Sequence, residues 1–403
     1  MWMEAEADAQ AVLAAARVTA VHKRKALWRL YLARKGRMQA DAANEALEQW
    51  VAAGGSSAEA AKEKGELQGM ERHDDVDEVA STLQNTHLDK DDPSFVHPDT
   101  AQDMFTIKDD VHGGKGAFAQ KALERGILIL AEKPLLRPPA GYKEEGPVSP
   151  QTVLTLVERL SPTDVARLVS LRNARADDAR YPHHCFAGIW STNAFSGAGI
   201  CLVASRFIHS CVPNARYSWH AESQRQRIFA LRSIAPGEEI CVSYLMGRNI
   251  YGSSSATRCA WLSDDYRFEC ACAVCGGTPE EVAASDHRRS MLARIWRALP
   301  TMQDDPRLAV REIASAIRIM REEGFHMDAD DFAGEAVNCC AVFSDWESAK
   351  YWATLMYESR KAEFGEDSGH TRKAKAIMEN PGDRRRLPMA GRYSGVKFTD
   401  IRV

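Results

Sequence analysis

Ser205-Arg-Phe-Ile-His-Ser-Cys-Val-Pro-Asn214 is the stretch on which the reading of this chain turns. It sets a histidine, a cysteine and a Pro-Asn pair side by side among short strand-like runs. ILILAE at 127–132 and ICLVAS at 200–205 precede it. RIFALRSI at 227–234 and EEICVSYL at 238–245 follow it, and Gly or Pro bounds each run. Between Pro138 and Tyr181 the chain turns helical instead (QTVLTLVERLSPTDVARLVSLR). The pattern predicts an α+β chain in which a β-rich domain over 105–246 is interrupted by a helical insert at about 138–185.

Further out, residues 1–52 carry apolar residues at Val12, Leu13, Val18, Val21, Leu27, Leu30 and Tyr31 with Lys and Arg between them, which reads as a helical extension. Gly54-Gly55-Ser56-Ser57 breaks that pattern, and 53–104 reads as an acidic, disordered linker with few large apolar groups. Residues 247–278 form a short cysteine-bearing segment. Residues 279–369 are helical, with Trp346 and Tyr351-Trp352 in helix-pair patterns. Residues 370–403 hold a basic excess, including Arg384-Arg385-Arg386, and read as a solvated tail.

The chain has 403 residues, 45% hydrophobic and 27% charged, with a net charge of −4. This is ordinary soluble composition for two or three domains, and the charge favours no nucleic-acid partner. No apolar run is long enough to span a bilayer. The N-terminus lacks the basic start and apolar stretch of a secretory signal. An intracellular location follows, in nucleus, cytoplasm or both, with neither membrane nor nucleic acid expected as a partner. The ten cysteines do not form a disulfide scaffold, since none precedes Cys185.

Phe-Glu-Cys-Ala-Cys-Ala-Val-Cys-Gly-Gly at 268–277 places Cys270, Cys272 and Cys275 within six residues. Closely spaced thiolates wrap a zinc ion, and the glycines relieve the tight turn that follows. Zinc takes about four ligands. On spacing alone the fourth is Cys211, Cys241, Cys259 or a histidine. His112-Gly-Gly-Lys-Gly-Ala-Phe-Ala119 contains Gly114-x-Gly116-x-x-Ala119, a weak match to the dinucleotide fingerprint. The charged FTIKDDV before it and the strand soon after argue against a Rossmann fold. A glycine turn between two strands remains, where backbone can approach a ligand closely.

Taken in order, the GxG loop, Thr192-Asn-Ala-Phe195, the HSCxPN segment, Pro236-Gly-Glu-Glu239 leading to Tyr244, and CxCxxC resemble the SET-domain methyltransferases, most closely a fungal SET–MYND-like branch, here without a MYND finger. The resemblance covers about residues 105–277. It implies a protein-lysine N-methyltransferase that uses S-adenosyl-L-methionine, with the lysine entering through an aromatic channel from the opposite face. It implies Tyr244 as the catalytic residue. Gly114, Lys115 and Gly116 would contact the cofactor's methionine end, with Asn193 and the position of Ile208 beside it. The backbone of His209 would meet the adenine, and Phe268 would pack on that ring. Phe195 and Tyr266 would wall the lysine channel. Cys211 would be the fourth ligand of a structural zinc with Cys270, Cys272 and Cys275. The helical region would be tetratricopeptide-like and offer a surface for a peptide partner. The protein substrate would present a histone or non-histone lysine.

One position departs from the pattern. The family motif has Asn where this chain has Ile208, and isoleucine neither donates nor accepts a hydrogen bond. Such a loss costs about 1.5–3 kcal/mol, roughly tenfold to hundredfold in cofactor affinity. The alternative this raises is a weak or inactive SET-fold scaffold that binds partners through its helices.

Overall fold

The computed structural model describes residues 2–14, 19–36, 40–65, 67, 103–109, 114–138, 148–176, 185–245, 251–302 and 304–403. Most of the segment read as an acidic linker lies outside these residues, as do parts of the glycine loop and of the helical insert. The chain divides into two compact units: residues 1–92 with 136–199, and residues 93–135 with 200–403. The insert thus groups with the N-terminal segment rather than with the strands on either side of it.

In the first unit, the stretch read as one helical extension forms three helices, α1 (Trp2–Ala14), α2 (Ala20–Gly36) and α3 (Ala40–Ala52). They share a core of their own, with Leu27, Leu30, Tyr31, Leu47 and Trp50 buried together. The insert supplies α4 (Pro150–Val157), α5 (Pro162–Val169) and α6 (Cys185–Asn193). Ser149 and Ser161 start α4 and α5 by accepting the N–H groups of Thr152 and Asp164, and each is followed by Pro at the first helical position. Both features satisfy or remove N–H donors that a helix start leaves unpaired.

In the second unit, β1 (Phe105–Asp109) and β2 (Lys115–Ala119) form an antiparallel hairpin, with Asp109 opposite Lys115 and their side chains paired at 2.9 Å. β3 (Leu128–Glu132), β4 (Ala215–His220) and β5 (Arg225–Ala230) form an antiparallel sheet in the order β3-β5-β4. Three sequence readings differ from this arrangement. ICLVAS is not a strand: Ala204–Arg206 is a 3-10 turn, because the buried Glu132 carboxylate accepts the N–H groups of Val203 at 3.0 Å and Ala204 at 2.8 Å. EEICVSYL makes single bridges at Glu239 and Val242 instead of a regular ladder. β4 was not anticipated, because ARYSWH carries Arg216 where an apolar residue would have advertised a buried strand.

Arg216 explains its own position. It pairs with Glu363, which has no exposed side-chain surface, at 2.8 Å, and also with Asp328. Its guanidinium lies 4.8 Å over the ring of Phe364. Asp330 is paired with Arg360 at 2.7 Å. This acidic group is therefore neutralised by side chains, which fixes β4 against the helices. The helices of this unit are α7 (Ser255–Tyr266), α8 (Pro279–Ala298), α9 (Pro306–Glu323), α10 (Ala329–Val342), α11 (Trp346–Phe364), to which Glu363 and Phe364 belong, and α12 (Gly369–Glu379). Thr278 and Glu281 cap α8 reciprocally, and Asp305 caps α9, which ends on Gly324 at φ 78°. No helix among the described residues is long and apolar enough to cross a membrane.

The segment read as a solvated basic tail is not one. It opens with α12, and Leu387, Ala390, Phe398 and Ile401 then enter the same core as Trp352 and Met356. The Phe398 N–H is held by the Asp345 carboxylate at 2.7 Å. Charge density dominated the sequence reading, whereas a few widely spaced apolar anchors decide the packing. Phe398 is fully buried, so Phe398→Ala should cost about 3–5 kcal/mol. Urea denaturation measures this, and an unchanged midpoint would return the segment to solvent.

Candidate active site and metal centre

The site is built on backbone pairing between three segments far apart in sequence. On one side, Ala117 O accepts the Ile240 N–H at 2.7 Å, and the Ala119 N–H donates to Glu238 O at 2.9 Å. On the other, the Val242 N–H donates to Ile208 O and the Ser210 N–H to Val242 O, both at 2.9 Å. Residues 237–242 thus run between β2 and 208–210. Asn214 locks the arrangement with one side chain: its amide donates to Glu239 O at 2.8 Å, and its oxygen accepts the Cys241 N–H at 2.8 Å. Gly116 leaves room where β2 passes this segment. A Cβ there would lie 2.2 Å from the Glu239 carboxylate, whose flexible end would have to shift.

This pairing delivers Tyr244 with both ends held by the 207–209 segment. Its hydroxyl donates to Phe207 O at 2.9 Å, and its backbone N–H donates to His209 Nδ1 at 2.9 Å. Tyr266, at the end of α7, brings its ring centroid 5.0 Å from that of Tyr244 and donates its hydroxyl to Tyr244 O at 3.4 Å. Phe268 stands edge-on to Tyr244 at 6.3 Å and tilted against His209 at 6.1 Å. Between these two aromatics, Arg267 ends α7 in the left-handed region at φ 57°. That turn swings Phe268 back toward Tyr244.

His209 has a defined tautomer. Burial pushes its imidazole down to about 3, so the ring is neutral. Nδ1 accepts from Tyr244, so Nε2 carries the proton and donates to Cys211 Sγ at 3.3 Å. The parallel bridge to Val242 uses the backbone of Ile208 and Ser210. The N–H and C=O of the buried His209 itself have no partner among the described residues. A buried donor and acceptor on one residue call for a ligand edge that offers the complement.

Cys211, Cys270, Cys272 and Cys275 converge, with all four sulfurs within 4.8 Å of one another. Cys211 lies 4.0 Å from Cys270 and 3.6 Å from Cys275. Four sulfurs at about 2.3 Å from a tetrahedral zinc would be about 3.8 Å apart, and a disulfide would need about 2.05 Å. The spacing fits a metal tetrathiolate. Hydrogen bonds among the four thiols split their acidities, with Cys272 and Cys275 pushed down and Cys211 and Cys270 pushed up. The Cys275 and Gly276 N–H groups both close on Cys272 O, at 2.9 and 2.8 Å. The reason for Gly276 is space rather than a left-handed φ, since a Cβ there would meet Ala271 O at 3.1 Å.

Of the residues singled out in the sequence, Gly116, Ile208, His209, Tyr244, Tyr266, Phe268 and the four cysteines come together in the second unit. Gly114 and Lys115 stand at the start of β2. Asn193 and Phe195 belong to the first unit. There the Asn193 amide donates to Arg172 O and Ile189 O, both at 2.7 Å, and Phe195 closes a turn with Gly199. Sequence reasoning missed Asn214, although it ends the quoted segment, and Tyr217 on β4. Burial, and then the nearby Tyr266, push the Tyr217 hydroxyl up. Its alternation with Trp219 was the available signal.

Residues 114–245 match the family model of the SET domain. The chain therefore carries a SET domain, and the threaded segment, Tyr244 and Cys211 lie within the matched residues. Beyond the class, it is homologous to named relatives. Over 276 residues it is 29% identical to "Histone-lysine N-methyltransferase set5" of Schizosaccharomyces pombe, covering 66% of this chain and 81% of that one. Over 81 residues it is 41% identical to "Protein-lysine N-trimethyltransferase SMYD5" of Danio rerio, covering 20% of this chain and 19% of the relative. The human protein of the same name is 38% identical over 87 residues. The chain spans about a fifth of the length of these SMYD5 relatives.

Asn214→Ala should cost about 1–3 kcal/mol, since it removes both hydrogen bonds from its side chain to the threaded segment. Chemical denaturation should show that loss. A variant as stable as the parent would mean that the segment is held without the clamp.

Proposed function

We propose that this chain is a protein-lysine N-methyltransferase that uses S-adenosyl-L-methionine, with Tyr244 at the reacting centre. The observation that carries the reading is Tyr244 itself, held at hydroxyl and backbone beside Tyr266 and Phe268. The homology to proteins named as lysine methyltransferases supports the reaction class. S-Adenosyl-L-methionine supplies a methyl group on a positively charged sulfur.

The protein's residues supply position and environment. Tyr244 donates its proton to Phe207 O, which fixes where the hydroxyl oxygen stands relative to a substrate amine. Aromatic walls strip water from that amine and lower its pKa, favouring the neutral nucleophile. Gly114, Lys115, Gly116, His209 and Phe268 would receive the cofactor, with Asn193 and Phe195 in the roles their motif positions imply. Cys211, Cys270, Cys272 and Cys275 would hold a structural zinc with no open position for chemistry. The substrate would be a histone or another protein in the nucleus or cytoplasm, and the helical region would be the surface for any peptide partner.

Incubation with labelled S-adenosyl-L-methionine and lysine-bearing proteins should label lysine. Tyr244→Phe should reduce the rate by at least about tenfold, as loss of one positioned polar group commonly does. Ile208 motivates the second reading, a scaffold with little cofactor affinity. Calorimetry decides between them. Micromolar binding supports the enzyme, whereas no binding, restored in Ile208→Asn, supports the scaffold. Zinc removal gives a separate test. A strong chelator, or Cys272→Ser, should abolish cofactor binding while strand content persists, because His209 and Phe268 depend on the cysteine centre. Cofactor binding that survives metal loss would break that coupling.

A further inference from the structure

Two guanidiniums beside the cysteine centre have no exposed surface, Arg258 on α7 and Arg289 on α8. They differ in how their charge is met. Arg289 Nε donates to the equally buried Glu323 at 2.8 Å, and Nη2 donates to Cys211 O at 3.0 Å. Arg258 has no such match. Its carboxylate partner among the described residues is Asp286 at 3.4 Å, which is partly exposed and already accepts the Ser255 N–H at 2.7 Å. Its Nη1 also donates to Ser253 O, and Nε finds no partner among the described residues. Its Nη2 donates to Cys275 Sγ at 3.7 Å.

A buried cation without a close anion is costly, and four neutral thiols would not relieve it. Four thiolates around a divalent ion carry a net charge of −2, which would. We propose that Arg258 is the counter-cation of the Cys211–Cys270–Cys272–Cys275 centre, a positioning residue outside the ligand set on which retention of the metal depends. The assignment rests on the zinc reading above. Arginine suits the role because its planar fork serves Ser253, Asp286 and Cys275 at once, which a lysine ammonium on one stem does not. His209 donates to Cys211 on the other side of the cluster. Two of the four sulfurs thus receive N–H bonds, which lowers their charge and favours keeping the ion.

The test uses the full chain loaded with one equivalent of zinc, and follows metal transfer to a chromogenic chelator by absorbance. Arg258→Met should lose zinc about ten- to hundredfold faster than the parent, the range typical for partners of metal ligands. Arg258→Lys, which keeps the charge, should fall between. Asp286→Asn keeps an oxygen for the Ser255 N–H and removes the competing carboxylate, so its release should be no faster than the parent's. Release from Arg258→Met at the parental rate overturns the assignment. So does Asp286→Asn releasing as fast as Arg258→Met, because the Arg258–Asp286 bridge would then be what matters. Circular dichroism checks folding. If Arg258→Met does not fold, Asp286→Asn decides: release at or below the parental rate supports the assignment, and faster release overturns it. A parent chain that binds no zinc overturns the zinc reading and this assignment together.

Discussion

Everything at the site depends on one backbone constraint, the pairing of residues 237–242 with β2 on one side and with 208–210 on the other. Neither neighbour is local in sequence, so the contacts come at the cost of closing long loops. Once closed, they leave little freedom. Tyr244 emerges two residues past Val242, and Ile208 and His209 emerge from the opposite edge. A hydroxyl held at 2.9 Å is positioned by this pairing more than by its own rotamer preference. Asn214 is the small part that holds the pairing closed. Gly116 leaves the Glu239 carboxylate the space that a side chain on β2 would contest.

Around that thread, buried charge supplies orientation that apolar packing alone does not. Arg216 ties β4 to α11 by a buried pair, whereas Arg227 grips the exposed Asp367 with two parallel bonds at 2.7 and 2.9 Å. Arg289 ties α8 to the backbone of Cys211 and to Glu323 at the end of α9. Buried pairs of this kind add little net stability, since desolvation offsets attraction, but losing one partner is expensive. They therefore select one docking geometry for helices that apolar contacts would tolerate in several.

How much of this was legible in the sequence depended on how local each signal was. CxCxxC is local, so three of the clustered cysteines could be read from spacing; Cys211, 59 residues before Cys270, was one of several candidates until the family's motif order singled it out. Tyr266 and Phe268 came the same way, but the left-handed turn at Arg267 that aims Phe268 has no glycine to announce it. ICLVAS misled because an apolar run looks like a strand whether its N–H groups meet a neighbouring strand or, as here, the Glu132 carboxylate. β4 was invisible because Arg216 faces a buried carboxylate from residue 363, which no local window contains. In the last segment, charge was counted and the sparse anchors Leu387, Ala390, Phe398 and Ile401 were not.

The Arg216–Glu363 pair also bears on how this protein can be handled as a reagent. The family match ends at residue 245 and the cysteine centre at 275, so a fragment cut near there would look complete on paper. It would expose the face of β4 and β5 that α11 covers, leave Arg216 facing water without its carboxylates, and strip Arg289 from Cys211. Phe229, which packs against Gly365, would become surface. Such a fragment is an aggregation hazard rather than a minimal enzyme. The smallest piece worth expressing keeps α8 to α12 and the anchors that follow them.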